Sequence, residues 1–247
     1  MPGPFAVPPA HWPPAARCGK IMGENVSATI AKEGRMRLLL VRHGQSLANI
    51  EARIQGDDDP LTDLGRAQAE ALGLHLRSRG DVSHLYASPL DRARETAEII
   101  GRHLGIAPVF EPGLAEINAG NAAGLLWEEW AARFPEHAAR LQRGEITLAE
   151  RWEGGESGQE FADRIMATFD RIVERHRATS DVVVVVSHGG PLSWISARLH
   201  GDPLDAWPFD RAIFGNCSLS EIEIDEHGSH RIGALNVIDH LATLSRD

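Results

Sequence analysis

From residue 36 onward, short apolar runs alternate with longer segments in which apolar residues recur at helical spacing. Residues 36–41 are typical of a buried strand, and the near-continuous valines of 181–186 indicate a central strand covered on both faces. Further strands are predicted at 82–87, 217–224 and 231–238, and helices at 62–79, 88–104, 159–177 and from about Pro191 onward. This alternation predicts a three-layer α/β/α domain with a mostly parallel central sheet.

Single residues mark the ends of these predicted elements. Thr62 is a suitable N-cap for the first helix, and Gly80 and Gly105 end the first and second helices. Residues 42–49 leave the first strand as a loop, and the dipeptide at 227–228 joins the last two strands. A polar loop is therefore expected directly after the first strand.

Two stretches depart from the alternating pattern. Residues 118–157 are irregular and rich in Ala, Gly and Trp, so we expect a small helical cap over the strand ends, where substrate choice would reside. Residues 1–35 contain six prolines and no apolar periodicity, which is typical of a disordered extension. Met36 directly precedes the first strand, so this extension could equally lie upstream of the natural start. Residues 36–247 are predicted to form one domain.

Composition narrows the classes of partner. A formal net charge of −10 argues against binding to nucleic acid or anionic membranes, so an anionic substrate requires a locally basic pocket. Both lysines, Lys20 and Lys32, lie in the extension, which excludes a lysine nucleophile or a Walker-type lysine from the domain. The two cysteines, Cys18 and Cys217, are too few for a disulfide framework and favour the cytoplasm. No apolar run approaches the roughly 20 residues of a membrane helix, so we expect a soluble protein.

Two histidine-bearing loops stand out as candidate chemistry. Arg42-His43-Gly44 and Ser187-His188-Gly189 each follow the C-terminal end of an apolar strand, which is where open α/β sheets bind ligands. Each motif alone is more typical of a turn, but the pair can converge on one crevice and favours a catalytic interpretation. The glycine-rich segment 154–158 follows no apolar strand, so we interpret it as a hinge and not as a phosphate loop.

Four elements occur in a specific order along the chain: Leu40-Val41-Arg42-His43-Gly44-Gln45-Ser46, Ser88-Pro89-Leu90-Asp91-Arg92-Ala93, Glu116 and Ser187-His188-Gly189. In this order and context the sequence resembles the histidine phosphatase superfamily, the phosphoglycerate mutase-like proteins, over nearly everything after Met36. The resemblance implies phosphoryl transfer through a phosphohistidine intermediate, most simply a metal-independent phosphatase acting on phosphate monoesters.

The resemblance implies a role for each of five residues. A neutral imidazole at His43 would attack phosphorus and carry the phosphoryl group. Arg42 and Arg92 would clamp the equatorial oxygens, because the planar guanidinium fork suits phosphate, and His188 would donate a further hydrogen bond. Glu116 would protonate the leaving alkoxide and then, deprotonated, activate water in the second half-reaction.

Further residues near these motifs are secondary candidates. Ser46, Asn49, Gln55 and Gly189 are expected to contact phosphate or substrate, although the side chains of the first three could instead support their own loop. The carboxylates that could replace Glu116 as general acid are Glu111 and Glu128.

Two other groups receive no chemical role. The aspartates at 57–59 are predicted to form a solvated turn. Trp127, Trp130 and Trp152, in the expected cap, could line a pocket, but aromatics at helical spacing favour packing.

The main alternative to hydrolysis is a mutase, which would return the phosphoryl group to another oxygen of its substrate. The mutases of the family carry an aromatic and basic segment after the general acid, whereas residues 117–121 read Ile-Asn-Ala-Gly-Asn, which favours hydrolysis. A metal site on His43 and His188 lacks accompanying carboxylates at ligand spacing. A non-catalytic binding module would not require the full set of catalytic residue types. Cysteine- and aspartyl-phosphatase motifs are missing from the sequence.

The expected partners follow from this interpretation. A small-molecule phosphate ester would be the substrate, with no cofactor or metal required and no nucleic acid or membrane bound. Sugar phosphates, phosphoglycerates, nucleotides and phosphoproteins all stay open as substrates. An edge strand near the C-terminus could pair across a two-fold axis, so we favour a homodimer, although nothing in the sequence compels it.

Overall fold

The computed structural model describes residues 34–211 and 214–244, so the predicted extension lies, up to residue 33, outside the described residues. The strands are β1 (Arg35–Arg42), β2 (His84–Ala87), β3 (Val109–Phe110), β4 (Val182–Ser187), β5 (Leu219–Asp225) and β6 (His230–Ile232). The helices are α1 (Leu47–Glu51), α2 (Asp63–Arg79), α3 (Asp91–Leu104), α4 (Trp127–Arg133), α5 (Pro135–Gln142), α6 (Gly158–His176) and α7 (Gly189–His200).

The six strands form one sheet in the order β3-β2-β4-β1-β5-β6. The first four in that order are parallel, whereas β5 runs antiparallel to β1 and β6 antiparallel to β5. The mostly parallel sheet predicted from the sequence is therefore confirmed. Arg42 pairs with Ser187 at the ends of β1 and β4, so the two histidine loops leave adjacent strands at the same height.

The alternating side chains of β1 bury both faces of the sheet. Leu38 and Leu40 pack with α6 and α7 in one core cluster, whereas Leu39 and Val41 pack with α2 and α3 in a second. Every residue of β4 is buried, as its valines predict for a strand covered on both sides. Two helical layers thus enclose the sheet, which confirms the three-layer architecture.

The predicted helix ends hold in the structure. The Thr62 hydroxyl accepts a hydrogen bond from the backbone N–H of Gly65 at 3.0 Å, as an N-cap of α2 should. Gly80, at the C-terminus of α2, adopts a left-handed conformation with φ of 70°, which side chains other than glycine rarely adopt.

Several predicted boundaries were wrong. The strand expected from residue 82 begins at His84, and the helix expected from residue 88 begins at Asp91. The loop expected at 42–49 contains the short helix α1, because the Asn49 side chain accepts from the Ser46 N–H at 3.1 Å and closes a first turn. The strand expected from residue 217 begins at Leu219, since Cys217 has a left-handed φ of 51°. The strand expected at 231–238 ends at Ile232, and beyond it Val237 returns to β5 through an isolated pairing with Leu219.

The irregular segment 118–157 carries α4 and α5. Trp130 is buried in a separate small core with Ile54, Ala119, Ala122 and Ala138. Its ring lies 5.3 Å from that of Trp127 and 5.4 Å from that of Trp152, an arrangement in which the indoles pack on one another. In the described ranges, no helix combines the length and the apolar character that crossing a membrane requires.

Candidate active site

The two histidines predicted from the strand-end motifs lie side by side. The His43 ring follows β1 and the His188 ring follows β4, and their centroids are 5.1 Å apart. Both side chains are fully buried, with 0% relative exposure. Because β1 and β4 are neighbouring parallel strands, their C-terminal ends meet at one edge of the sheet and bring the two loops together.

The hydrogen bonding of His43 determines which ring nitrogen carries the proton. Nδ1 lies 2.7 Å from the carbonyl oxygen of Gly44, and a carbonyl only accepts, so Nδ1 holds the hydrogen. Nε2 then exposes its lone pair, and it has no hydrogen-bond partner among the described residues. Burial, followed by the charges of Arg92 and Arg42, lowers the pKa of His43 well below 6.5, so the ring is neutral at neutral pH.

In His188 the hydrogen is assigned to the same ring nitrogen as in His43, with the Ser88 hydroxyl as the donor to the other nitrogen. The Ser88 hydroxyl accepts from the Leu90 N–H at 3.3 Å and lies 2.7 Å from Nε2 of His188, to which it can donate. Nδ1 of His188 then carries the hydrogen, and this buried nitrogen has no partner within the described part of the chain. Burial, followed by the charge of Arg92, lowers the pKa of His188 well below 6.5 as well. The pair thus presents one acceptor nitrogen and one donor N–H.

Two arginines surround the histidine pair with unpaired donors. Arg92 is fully buried and donates through Nη1 to the Gly56 carbonyl at 2.7 Å, while its Nε and Nη2 have no hydrogen-bond partner in the described chain. Arg42 donates through Nη1 to the Phe214 carbonyl at 2.7 Å, and its Nε is likewise unsatisfied within residues 34–211 and 214–244. Buried N–H groups need acceptors, so this region is suited to an anion.

The guanidinium groups remain protonated despite their burial. Desolvation lowers the pKa of Arg92, and the carboxylates of Asp59 and Glu116 oppose that effect. Desolvation also lowers the pKa of Arg42, against the attraction of Glu116. Arginine does not lose its proton at physiological pH, so two fixed positive charges stand beside the neutral imidazoles.

Glu116 is held at the site by backbone hydrogen bonds. Its Oε1 accepts from the Ile117 N–H and its Oε2 from the Gly190 N–H, both at 3.1 Å. A Cβ at Gly190 would lie 2.2 Å from the Glu116 Oε1, so only glycine lets the carboxyl approach the first turn of α7. Arg164 supports the same loop by donating to the Glu116 carbonyl at 2.8 Å.

Glu116 also borders two cavities. One has a volume of about 200 Å³ and is lined by Gln55, Gly56, Asp57, Leu90, Arg92, Glu116, Ile117, Asn118, Ala119, Gly120 and Ala123. The other is lined by Arg42, Gln55, Glu116, Gly189, Gly190, Ser193, Trp194, Trp207, Pro208, Phe209 and Phe214. The carboxyl therefore lies at the wall of both cavities, the first of which Arg92 also lines and the second Arg42.

Of the secondary candidates, some line the two cavities and others support the loop that follows β1. Gln55 lines both cavities and Gly189 lines the second. Ser46 is fully buried and its hydroxyl accepts from the Gln55 amide at 3.0 Å, and Asn49 accepts from the Ser46 backbone N–H. Neither Ser46 nor Asn49 lines either cavity. The alternative in which these two side chains support their loop therefore fits the geometry better.

The solvated turn predicted at 57–59 is wrong for one of its aspartates. Asp59 is only 5% exposed, and its carboxylate accepts from the Ala48 N–H at 2.9 Å and from the Gln55 amide at 3.1 Å. Its Oδ2 also lies 4.0 Å from the Arg92 Nε. Asp59 is buried because it connects α1, Gln55 and Arg92, whereas the aspartates at 57 and 58 are exposed.

Sequence reasoning missed several residues that position the site. Thr96 accepts from the Gly44 N–H at 3.1 Å and donates to the Arg92 carbonyl at 2.6 Å. The Asn216 amide donates to the His43 carbonyl at 3.1 Å. In the sequence, Thr96 is marked only by its place in a predicted helix, and Asn216 only by its place in a loop. Neither pattern indicates which backbone group of a distant residue the side chain contacts.

The remaining carboxylate and thiol candidates are engaged elsewhere. Glu111 pairs with Arg171 at 2.6 Å, and Glu128 is exposed on α4. Cys217 is fully buried, and burial raises the pKa of its thiol, which argues against a thiolate nucleophile.

Comparison with known proteins places these features in a family. The protein-family model described as "Histidine phosphatase superfamily (branch 1)" matches residues 38–237 of this chain. The "Probable phosphoglycerate mutase GpmB" of Salmonella paratyphi B is 36% identical over 196 residues, which are 77% of this chain and 86% of that relative.

Solved structures with the same fold include phosphatases. A mycobacterial glucosyl-3-phosphoglycerate phosphatase is 30% identical with a TM-score of 0.69, covering 82% of this chain and 99% of that chain. An alpha-ribazole phosphatase from Shigella flexneri is 26% identical with a TM-score of 0.71, covering 82% and 97% respectively. The chain, with its paired strand-end histidines and the two arginines beside them, belongs to the histidine phosphatase superfamily, branch 1.

Proposed function

We propose that this chain hydrolyses phosphate monoesters through a phosphohistidine intermediate on His43, with Glu116 as general acid and base. The observation that carries the proposal is the cluster of buried polar atoms without partners in the described chain: Arg42 Nε, His43 Nε2, Arg92 Nε and Nη2, and His188 Nδ1. One of these atoms is a neutral acceptor nitrogen and the others are N–H donors. A phosphoryl group supplies both an electrophilic phosphorus and the anionic oxygens that such a set needs.

In the first half-reaction the Nε2 lone pair of His43 forms a bond to phosphorus while the bond from phosphorus to the ester oxygen breaks. The leaving alkoxide takes the proton of the Glu116 carboxyl, so the alcohol departs neutral. Arg42, Arg92 and the His188 Nδ1–H stabilise the charge on the equatorial oxygens. Because these donors are fixed by the fold, little reorganisation accompanies the transfer.

In the second half-reaction a water molecule attacks the phosphorus of phosphohistidine. The Glu116 carboxylate accepts the proton of that water, and the bond from phosphorus to Nε2 breaks and returns its electron pair to His43. Inorganic phosphate leaves, and Glu116 is again protonated. The cycle balances without a metal or a redox partner.

Hydrolysis is favoured over a mutase by the charges around the cavities. A phosphoglycerate carries a second anionic group, which would need a cation beyond the phosphate clamp. The segment 117–120, which lines the cavity next to Arg92, contributes no charged side chain. The neighbouring Arg164 is engaged with Glu156 at 2.6 Å and with backbone carbonyls. The mutase stays the second candidate, because the named relatives include both classes.

The test is hydrolysis of p-nitrophenyl phosphate with EDTA present, together with a 3-phosphoglycerate mutase assay. We expect chelator-resistant release of p-nitrophenol and a fall of at least about a thousandfold in the variant His43→Ala, because its nucleophile is missing. His75→Ala, which alters a histidine of α2 outside the site, serves as the control and should retain activity. Mutase turnover without hydrolysis would establish the alternative instead, and full activity in His43→Ala would reject both.

A further inference from the structure

A second group of histidines lies at the opposite end of the central sheet. His84 is the first residue of β2, His176 is the last residue of α6, and Asp181 directly precedes β4. Because β2 and β4 are parallel, their first residues lie at the edge of the sheet that faces away from His43 and His188. This group therefore plays no part in the phosphoryl chemistry proposed above.

The three side chains converge on a single carboxylate oxygen. Asp181 Oδ2 lies 2.8 Å from Nδ1 of His176 and 3.3 Å from Nε2 of His84, and the ring centroids are 4.4 Å apart. All three candidate ligand atoms lie within 4.8 Å of one another. Ligand atoms about 2.0–2.1 Å from a tetrahedral zinc ion are roughly 3.3 Å apart, so small side-chain movements would complete the geometry.

The surroundings of His176 match those of a metal-binding imidazole. His176 is buried, with a relative exposure of 3%, and its Nε2 lies 2.9 Å from the Tyr86 hydroxyl. A metal-binding histidine usually donates its second ring N–H to an outer partner, which fixes the tautomer that leaves the other nitrogen free to coordinate. In the structure Nδ1 donates to the Asp181 carboxylate, which only accepts, so Nε2 accepts from the Tyr86 hydroxyl. When a metal binds Nδ1, the hydrogen would pass to Nε2 and the phenol oxygen of Tyr86 would accept from it.

We propose that His84, His176 and Asp181 bind a divalent transition metal ion of the zinc class. Two imidazoles and one carboxylate are a ligand set that suits zinc, and three protein ligands leave a fourth position for water. The His84 side chain is 44% exposed, so an ion reaches the site from solvent. The bound ion would connect the start of β2 to the link between α6 and β4.

The experiment is calorimetric titration of the full chain, without a polyhistidine tag and freed of metal, with zinc chloride. We expect one site per chain. The variants His84→Ala and Asp181→Asn should each lower the affinity at least about tenfold, since each removes a ligand, and Tyr86→Phe should lower it by about ten- to a hundredfold through the tautomer of His176. Melting temperatures measured without zinc show whether each variant is folded, and zinc should raise that of the unaltered chain.

Two further variants distinguish this site from the other histidine pairs. His43→Ala alters the pair at the opposite end of the sheet, and His75→Ala alters the pair with His240, whose ring centroids are 5.3 Å apart. Both should keep the single zinc site. Zinc binding that is lost in His43→Ala but unchanged in His84→Ala would overturn the proposal, as would the lack of any binding to the unaltered chain. Neither result depends on whether the chain is a phosphatase.

Discussion

The two ends of the central sheet each carry a pair of close histidines, and the two pairs differ in their neighbours. At the C-terminal edge, the rings of His43 and His188 lie beside the buried Arg92 and the partly buried Arg42. At the N-terminal edge, the rings of His84 and His176 share a carboxylate of Asp181. Cations beside neutral imidazoles suit an anion, whereas an anion beside imidazoles suits a cation. The chemistry of a histidine pair is thus decided by the charge placed next to it.

Among changes that leave the nucleophile in place, the largest effect should come from removing the carboxyl at the C-terminal edge. Glu116→Gln keeps an oxygen that can accept from the Gly190 N–H but cannot transfer a proton, so kcat should fall by about 10²–10⁴-fold. The loss should be smaller in the first half-reaction of p-nitrophenyl phosphate, whose leaving group needs little protonation, and a burst of p-nitrophenol should then precede slow turnover. Rapid-mixing kinetics with that ester and with an alkyl phosphate measure the difference.

The matched control is the carboxylate at the other edge. Asp181→Asn should leave phosphatase activity within about twofold, because Asp181 lies at the opposite end of β4 from the reacting atoms. An Asp181→Asn loss equal to that of Glu116→Gln would mean that both changes act through folding, and retained kcat in Glu116→Gln would remove its role as acid and base.

A smaller effect is expected from Ser88, which sets the tautomer of His188. Ser88→Ala removes the hydroxyl 2.7 Å from Nε2, so kcat should fall about tenfold with little change in KM, in line with the loss of one oriented hydrogen bond. Ser88→Thr restores the hydroxyl and should recover activity. Ser83→Ala, whose hydroxyl accepts from the Val182 N–H at the other end of the strand, should have no such effect on kcat. An unchanged kcat in Ser88→Ala would show that Ser88 does not position His188.

The smallest effect concerns the pH dependence of stability. Burial first, and then nearby positive charge, holds the pKa of His43 and of His188 well below 6.5 in the folded chain. The unfolded chain therefore binds more protons below pH 6.5, so stability is complete above that pH and falls as the pH decreases toward the folded pKa. Each histidine should contribute up to about 1.4 kcal/mol per pH unit in that window.

Urea unfolding at several pH values between 5 and 7.5 measures this dependence. The variants His43→Gln and His188→Gln should each show a shallower loss of unfolding free energy with acid than the unaltered chain, because each lacks one buried titrating ring. A slope that stays the same in both variants would show that neither imidazole is kept neutral by the fold.

Some features were predictable because their signals are local. The helix α2 has its cap at Thr62 and its end at Gly80, and the buried β4 has continuous valines. The burial of Asp59 was not predictable, because three consecutive aspartates resemble any exposed turn until α1, Gln55 and Arg92 are placed around one of them. Likewise, β6 ends early because its pairing with β5 is interrupted between Ile232, opposite Ile222, and Val237, opposite Leu219, and no strand pattern points to that interruption.

The sequence by itself determined the alternation of strands and helices, the positions of His43 and His188 at strand ends, and the superfamily, because periodicity and motif order are properties of neighbouring residues. Only the tertiary structure decided the tautomers of the two histidines and the anchoring of Glu116 by Gly190. It alone also placed His84, His176 and Asp181 around one point. Those features depend on distances between residues far apart in the chain, which are set when the sheet pairs its strands and the helices pack on it.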